Sequence, residues 1–160
     1  MHYYSLGKIS PNVDFKTAAI TGQAPDKGLY FPSEIPKFSK EQIERFKTLD
    51  KATLAYEVMK PYVAATIDDA SLKTICGETI NFDFPLVAIT EDIAALELFH
   101  GPTLAFKDVG ARFLSRCLGY FAKQSANNKQ DSAEKNNSTK KDTTVLVATS
   151  GDTGGAIQKC

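Results

Sequence analysis

Apolar residues recur most regularly after Lys107, where Gly110, Phe113, Leu114, Cys117, Leu118 and Phe121 follow one another at helical intervals of three and four. The spacing predicts a helix from Asp108 to about Lys123 that buries this stripe and turns Arg112, Ser115, Arg116 and Lys123 outward. Shorter patterns precede it. Ser39 is placed as an N-cap with Gln42 completing a capping box, and Ile43, Phe46 and Leu49 share one face of a helix that runs to about Leu49. A second helix opens near Asp50 or Thr53, carries Leu54, Val58 and Met59, and stops before Pro61. A third covers Ser71 to Ile75 and is closed by Gly77.

Strand signals are shorter. Leu29-Tyr30-Phe31 lies between two turn-rich segments, Thr21 to Gly28 and Phe31 to Pro36, and the rest of the first forty residues scatters single apolar residues among turns. Pro85-Leu86-Val87-Ala88-Ile89 and Leu96-Glu97-Leu98-Phe99 read as two further strands, the second ending at the turn His100-Gly101-Pro102-Thr103. Thr143 to Thr149 is β-branched and nearly all apolar, the pattern of a buried strand in a parallel sheet. The fold expected is α/β: a small N-terminal helical region followed by the first βα units of a mostly parallel sheet.

Between Lys123 and Asp142 stand five Lys, four Asn, three Ser and three acids, with nothing more apolar than Ala. Such a segment contributes nothing to a core and predicts a solvated loop, and its interspersed acids argue against a basic binding tail.

Charge narrows the function classes. The 160 residues carry 19 Lys+Arg against 19 Asp+Glu, a net charge of zero, and no local basic stripe compensates, so neither nucleic acid nor a membrane surface is expected as a partner. Apolar runs of about five residues fall far short of the roughly 20 needed to cross a bilayer. The first eight residues, Met1 to Lys8, have no charged segment followed by an apolar core, so a cytoplasmic protein is expected. Cys76, Cys117 and Cys160 fit neither a disulfide framework nor a zinc spacing and read as buried, inert thiols. With His2 and His100 the only histidines, no histidine-rich metal site is expected.

Two segments carry candidate chemistry. Lys107 stands between Leu104-Ala105-Phe106, which desolvate an ammonium, and the N-terminus of the Asp108 helix, whose dipole disfavours a cation; Asp108 opposes both effects. An amine kept partly neutral is what Schiff-base chemistry requires. Taken locally, a surface lysine lying over apolar neighbours is an equal reading. The second segment, Ser150-Gly151-Asp152-Thr153-Gly154-Gly155, joins a strand to the start of a helix and offers hydroxyls and unpaired N–H groups. It matches neither a nucleotide phosphate loop nor the dinucleotide fingerprint, and Asp152 would repel a bare phosphate. It fits a carboxylate, amine or pyridine-hydroxyl ligand, or a purely structural turn.

Together, His100-Gly101-Pro102-Thr103-Leu104-Ala105-Phe106-Lys107-Asp108-Val109-Gly110-Ala111-Arg112-Phe113 and, about forty residues on, Ala148-Thr149-Ser150-Gly151-Asp152-Thr153-Gly154 strongly resemble the threonine synthase family. Asp26-Lys27-Gly28-Leu29-Tyr30-Phe31-Pro32, Phe84-Pro85-Leu86-Val87 and Leu96-Glu97-Leu98-Phe99 add to the match. The resemblance implies a pyridoxal 5'-phosphate enzyme of the tryptophan-synthase-β-like, fold type II group, a lyase of threonine biosynthesis that converts O-phospho-L-homoserine and water to L-threonine and phosphate. It implies that Lys107 holds the cofactor as a Schiff base and moves protons at the substrate's α and β carbons. By the same resemblance Phe106 packs beside that linkage, Asp152 contacts the cofactor, and Ser150, Gly151, Asp152, Thr153, Gly154 and Thr103 serve the substrate. Arg112 reaches cofactor or substrate, or is a surface charge.

The resemblance further divides the chain into an N-terminal region, 1–80, and the start of the cofactor-binding region, 81–160, with 123–142 as its polar connector. Threonine synthases are much longer, so the phosphate-cradling loop and the partner of the pyridine nitrogen are expected outside these residues, and this chain is expected to be inactive alone. Two other readings are another enzyme of the same cofactor group, such as a serine/threonine dehydratase or cysteine synthase, and a non-catalytic module that kept only this region.

Overall fold

The computed structural model describes residues 1–130, and the chain forms two compact units, the first Met1–Asn81 and the second beginning at Phe82. The architecture is mixed helix and strand.

The first unit opens with β1 (Tyr3–Ser5), α1 (Phe15–Thr21) and β2 (Tyr30–Pro32). β1 pairs antiparallel with β2, Tyr4 standing opposite Phe31, and Tyr3 exchanges backbone hydrogen bonds with Val13 at 2.8 and 2.9 Å. Neither β1 nor α1 has a periodic signature. α1 exists because the Asp14 side chain caps it, accepting from the Thr17 amide at 2.7 Å.

α2 (Lys40–Phe46) starts where the sequence places it: Ser39 Oγ accepts from the Gln42 amide and Gln42 returns the bond to the Ser39 amide, a complete capping box. Nothing on α2 is buried. Ile43 is exposed, and Phe46 instead meets Phe38 edge-on at 5.0 Å.

α3 (Lys51–Val63) passes through Pro61 and ends two residues later in a 3₁₀ turn, Ala64–Thr66. α4 (Asp69–Thr79), capped by Asp68, continues past Gly77, where an added Cβ would meet Ala52 of α3 at ordinary contact distance. Both helices therefore end two residues beyond the residue expected to stop them. α3 and α4 pack on each other, and Tyr56, Val63, Leu72, Ile75 and Cys76, with Ile67 between the helices, make the core of this unit. The Tyr3 hydroxyl ties β1 to α3 by donating to the Tyr62 carbonyl at 3.0 Å.

The second unit opens with β3 (Leu86–Ala88) and β4 (Ala94–Leu96), an antiparallel pair with Leu86 opposite Leu96. Both ladders of the described residues are antiparallel, where the sequence predicts a mostly parallel sheet. The reason is length: the loop from Ile89 to Ile93 is a tight hairpin connection, closed by the Ile89 amide on the Ile93 carbonyl at 2.8 Å, and a parallel crossover needs a dozen residues or more. All six strand residues are exposed.

α5 (Asp108–Gln130) runs seven residues past the end expected at Lys123. Lack of apolar residues forbids burial, not helix formation, and Gln124 and Ser125 keep it going through hydrogen bonds to the Tyr120 hydroxyl and the Phe121 carbonyl. The connector expected from Lys123 thus begins as helix, and its part beyond Gln130 lies outside the described residues, as do the expected strand 143–149 and Cys160. Cys117 and Phe121 are buried as the stripe requires, but Gly110 and Leu114 are exposed while Ala111 and Arg112 are buried. Cys76 and Cys117 are buried. No helix among the described residues is long and apolar enough to cross a membrane.

Candidate active site

The chain between β4 and α5 is compact turn. The Leu104 amide donates to the Gly101 carbonyl at 3.0 Å, closing a turn around Pro102 and Thr103, and leaves Leu104 in the left-handed region at φ 59°. A bulky side chain is rarely held there unless its surroundings require it. The Asp108 amide then donates to the Ala105 carbonyl at 3.1 Å, and the Ala111 amide to the Lys107 carbonyl at 2.9 Å, so Lys107 is the last residue before α5 and is bonded into its first turn.

Lys107 is half-buried, with Nζ 5.9 Å from the centre of the Phe106 ring. Of the apolar residues expected to desolvate it, Leu104 is 75% and Phe106 64% exposed.

Asp108 is wholly buried. Its two oxygens accept from Thr103, one from the amide at 2.9 Å and the other from the hydroxyl at 2.7 Å. The hydroxyl that the resemblance offers to substrate is thus engaged inside the loop. Arg112, one turn into α5, is 7% exposed with its guanidinium 5.6 Å from the Phe82 ring centre, which settles against a surface charge. Upstream, His100 Nε2 and Glu97 Oε2 lie 2.6 Å apart, and the His100 ring stacks on Phe99.

Sequence reasoning passed over Asp108 as a structural partner. Its signal was an acid at the first helical position with a hydroxyl residue five places earlier, a spacing outside the usual capping patterns. Ser150, Gly151, Asp152, Thr153 and Gly154 lie outside the described residues. Among the described residues no group of three or more His, Cys, Asp or Glu could hold a metal ion.

Comparison with known proteins reaches the same region of sequence. The family model described as threonine synthase N terminus matches residues 2–80. A threonine synthase from Buchnera aphidicola subsp. Baizongia pistaciae is 36% identical over 159 residues, covering 98% of this chain and 34% of the relative. The Escherichia coli threonine synthase is 33% identical over 157 residues, again over 98% of this chain and 33% of its own length. The chain belongs to the threonine synthase family, as its N-terminal portion.

Solved threonine synthases share its shape. The crystal structure of the Escherichia coli threonine synthase superposes with a TM-score of 0.72 at 34% identity, over 76% of this chain and 28% of that one. A threonine synthase from Brucella melitensis, its X-ray structure described as PLP bound, gives a TM-score of 0.75 at 36% identity, over 79% and 28%. The chain spans about a third of the length of the threonine synthases it matches in sequence.

Proposed function

We propose that this chain is the N-terminal portion of an enzyme of threonine biosynthesis that converts O-phospho-L-homoserine and water to L-threonine and phosphate with pyridoxal 5'-phosphate. The observation that carries this reading is the match of 98% of the chain to threonine synthases, a span that takes in His100 to Asp108. The described residues fit the cofactor at its reactive end, since Lys107 presents a primary amine, half-buried, from a turn closed on both sides.

When bound, the cofactor supplies an aldehyde to that amine and a ring that draws off electron density as substrate bonds break. Lys107 holds it and moves protons at the substrate's α and β carbons. Phe106 flanks the amine, and Asp152 orients the cofactor. Ser150, Gly151, Asp152, Thr153 and Gly154 hold the amino-acid end of the substrate, and Thr103, its hydroxyl bonded to Asp108, serves the substrate as well.

The same reading assigns the fold to the opening of the tryptophan-synthase-β-like, fold type II architecture and the protein to the cytoplasm. It divides the chain near residue 80, where the family-model match ends. It also holds the 160 residues inactive by themselves, because the residues that grip the cofactor phosphate belong to the part of the family not represented here.

The test is an assay of the intact protein that carries this chain, offered O-phospho-L-homoserine, serine and threonine in turn. Phosphate and threonine released in equal amounts, and lost in Lys107→Ala, support the proposal. Keto-acid formation from serine or threonine assigns the protein to the dehydratases, and threonine formation by the 160 residues alone overturns their inactivity.

A further inference from the structure

We propose that Asp108 and Thr103 form a clamp that positions Lys107, with Gly101 leaving room for it; the inference rests on the reading of Lys107 as the cofactor lysine. A carboxylate buried to 0% exposure is uncommon and stable only when its oxygens are engaged. Those of Asp108 accept the amide and the hydroxyl of one residue, Thr103, at 2.9 and 2.7 Å. An acid that served only as a helix cap would accept from amides of its own first turn. These two bonds run the other way, backward across Leu104 to Lys107, and so tie the start of the turn to the residue that follows the lysine.

Gly101 completes the clamp. A Cβ built on it would fall 2.9 Å from both the Cβ and the carboxyl carbon of Asp108, closer than real side chains approach. Any other residue at 101 therefore pushes the carboxylate off Thr103. Inside the closed turn, Leu104 is held at φ 59° and the Lys107 carbonyl is already bonded to Ala111, which leaves the four-carbon stem of Lys107 as its means of movement. Fixing the backbone under a reacting amine concentrates it where the reaction needs it, and a misplacement of about 1 Å costs roughly a hundredfold. Thr103 and Asp108 are positioning residues in this scheme, acting through Lys107.

The experiment uses the intact protein that carries this chain and pyridoxal 5'-phosphate, trapped by borohydride, with the share of adduct on each lysine read by peptide mass. Thr103→Val keeps the amide bond and removes the hydroxyl bond, Gly101→Ala displaces the carboxylate without deleting a group, and Thr103→Ser restores the hydroxyl. Circular dichroism confirms that each variant is folded. The clamp predicts that Lys107 is labelled preferentially in the wild type. It predicts a loss of about tenfold in that preference in Thr103→Val and Gly101→Ala, the size expected for one hydrogen bond to a charged group, with recovery in Thr103→Ser. Preferential labelling that is equal in all four chains overturns the clamp and leaves Lys107 as the cofactor lysine. Labelling of Lys107 no stronger than that of other lysines in the intact wild type overturns the assignment of Lys107 as the cofactor lysine, and the clamp with it.

Discussion

The Ser5 hydroxyl donates to the Asp26 carboxylate at 2.6 Å, joining the end of β1 to a loop twenty-one residues later. The same carboxylate accepts the amides of Gly28 at 3.0 Å and of Ile9 and Ser10 at 3.1 Å, while the Asp26 amide donates back to Ser10 Oγ. This network accounts for the Asp26-Lys27-Gly28 part of the family motif. The acid organises two loops, and a Cβ at position 28 would collide with Ser5 Oγ and the Gly7 amide.

The Ser5 hydrogen bond first, then the amides of Gly28, Ser10 and Ile9, hold the Asp26 carboxyl well below the usual carboxylate range. A folded-state value below the unfolded one gives stability that is present above the unfolded value, about 4, and is lost as pH falls through the folded one. Thermal melts from pH 7 to pH 2 should show part of the acid destabilisation disappear in Asp26→Asn, which melts lower at neutral pH and changes less below about pH 4. An unchanged acid slope would assign the loss to other carboxyls.

At the alkaline end the informative group is Tyr3. Burial first, and then the neighbouring Tyr62, push its hydroxyl up to about 12. A raised value means the stabilisation is complete below the unfolded value of about 10 and drains away as pH climbs from there toward the folded value. Tyr3→Phe, which loses the bond to the Tyr62 carbonyl, should cost about 1 kcal/mol at pH 7 and flatten the decline above about pH 10. Urea titrations at pH 7, 9 and 11 measure both effects.

α2 buries nothing, so its capping box has unusual weight in its stability. Ser39→Ala should cost about 1 kcal/mol and act locally. Amide hydrogen exchange should quicken at Gln42 and Ile43, with the α3 and α4 amides little changed. Uniform quickening through α3 and α4 would mean that α2 folds with the core.

The β3–β4 hairpin exposes Leu86 at 70% and Leu96 at 57%, directly across from each other. Paired apolar residues on a short exposed sheet favour association between chains. Sedimentation should show concentration-dependent association of the wild-type chain that is reduced in Leu86→Lys with Leu96→Glu, an opposite-charge pair that keeps the cross-strand contact favourable. Equal association of both would place the sticky surface elsewhere.

The features legible in the sequence are those whose causes lie within about four residues. Ser39 with Gln42 announced the start of α2, the spacing after Lys107 announced α5 and its buried Cys117 and Phe121, and the Lys107 motif pointed to its chemistry. β1 escaped because three residues carry no period, and its strand character comes from Val13 and from β2, far along the chain. The stops expected at Pro61 and Gly77 failed because a core was at stake: Val63 on α3 and Thr79 on α4, each two residues beyond the expected stop, are buried when the helices continue.

By itself, then, the sequence determined where α2 and α5 begin, which residue types gather around Lys107, and the family to which they belong, since caps, periods and motifs are local. Tertiary structure decided the antiparallel pairing of β3 with β4, the burial of Ala111 and Arg112 in place of Gly110 and Leu114, and the backward reach of Asp108 to Thr103. Each of these depends on which group stands opposite in space, and a pattern along one chain shows which face prefers to be buried without showing what will cover it.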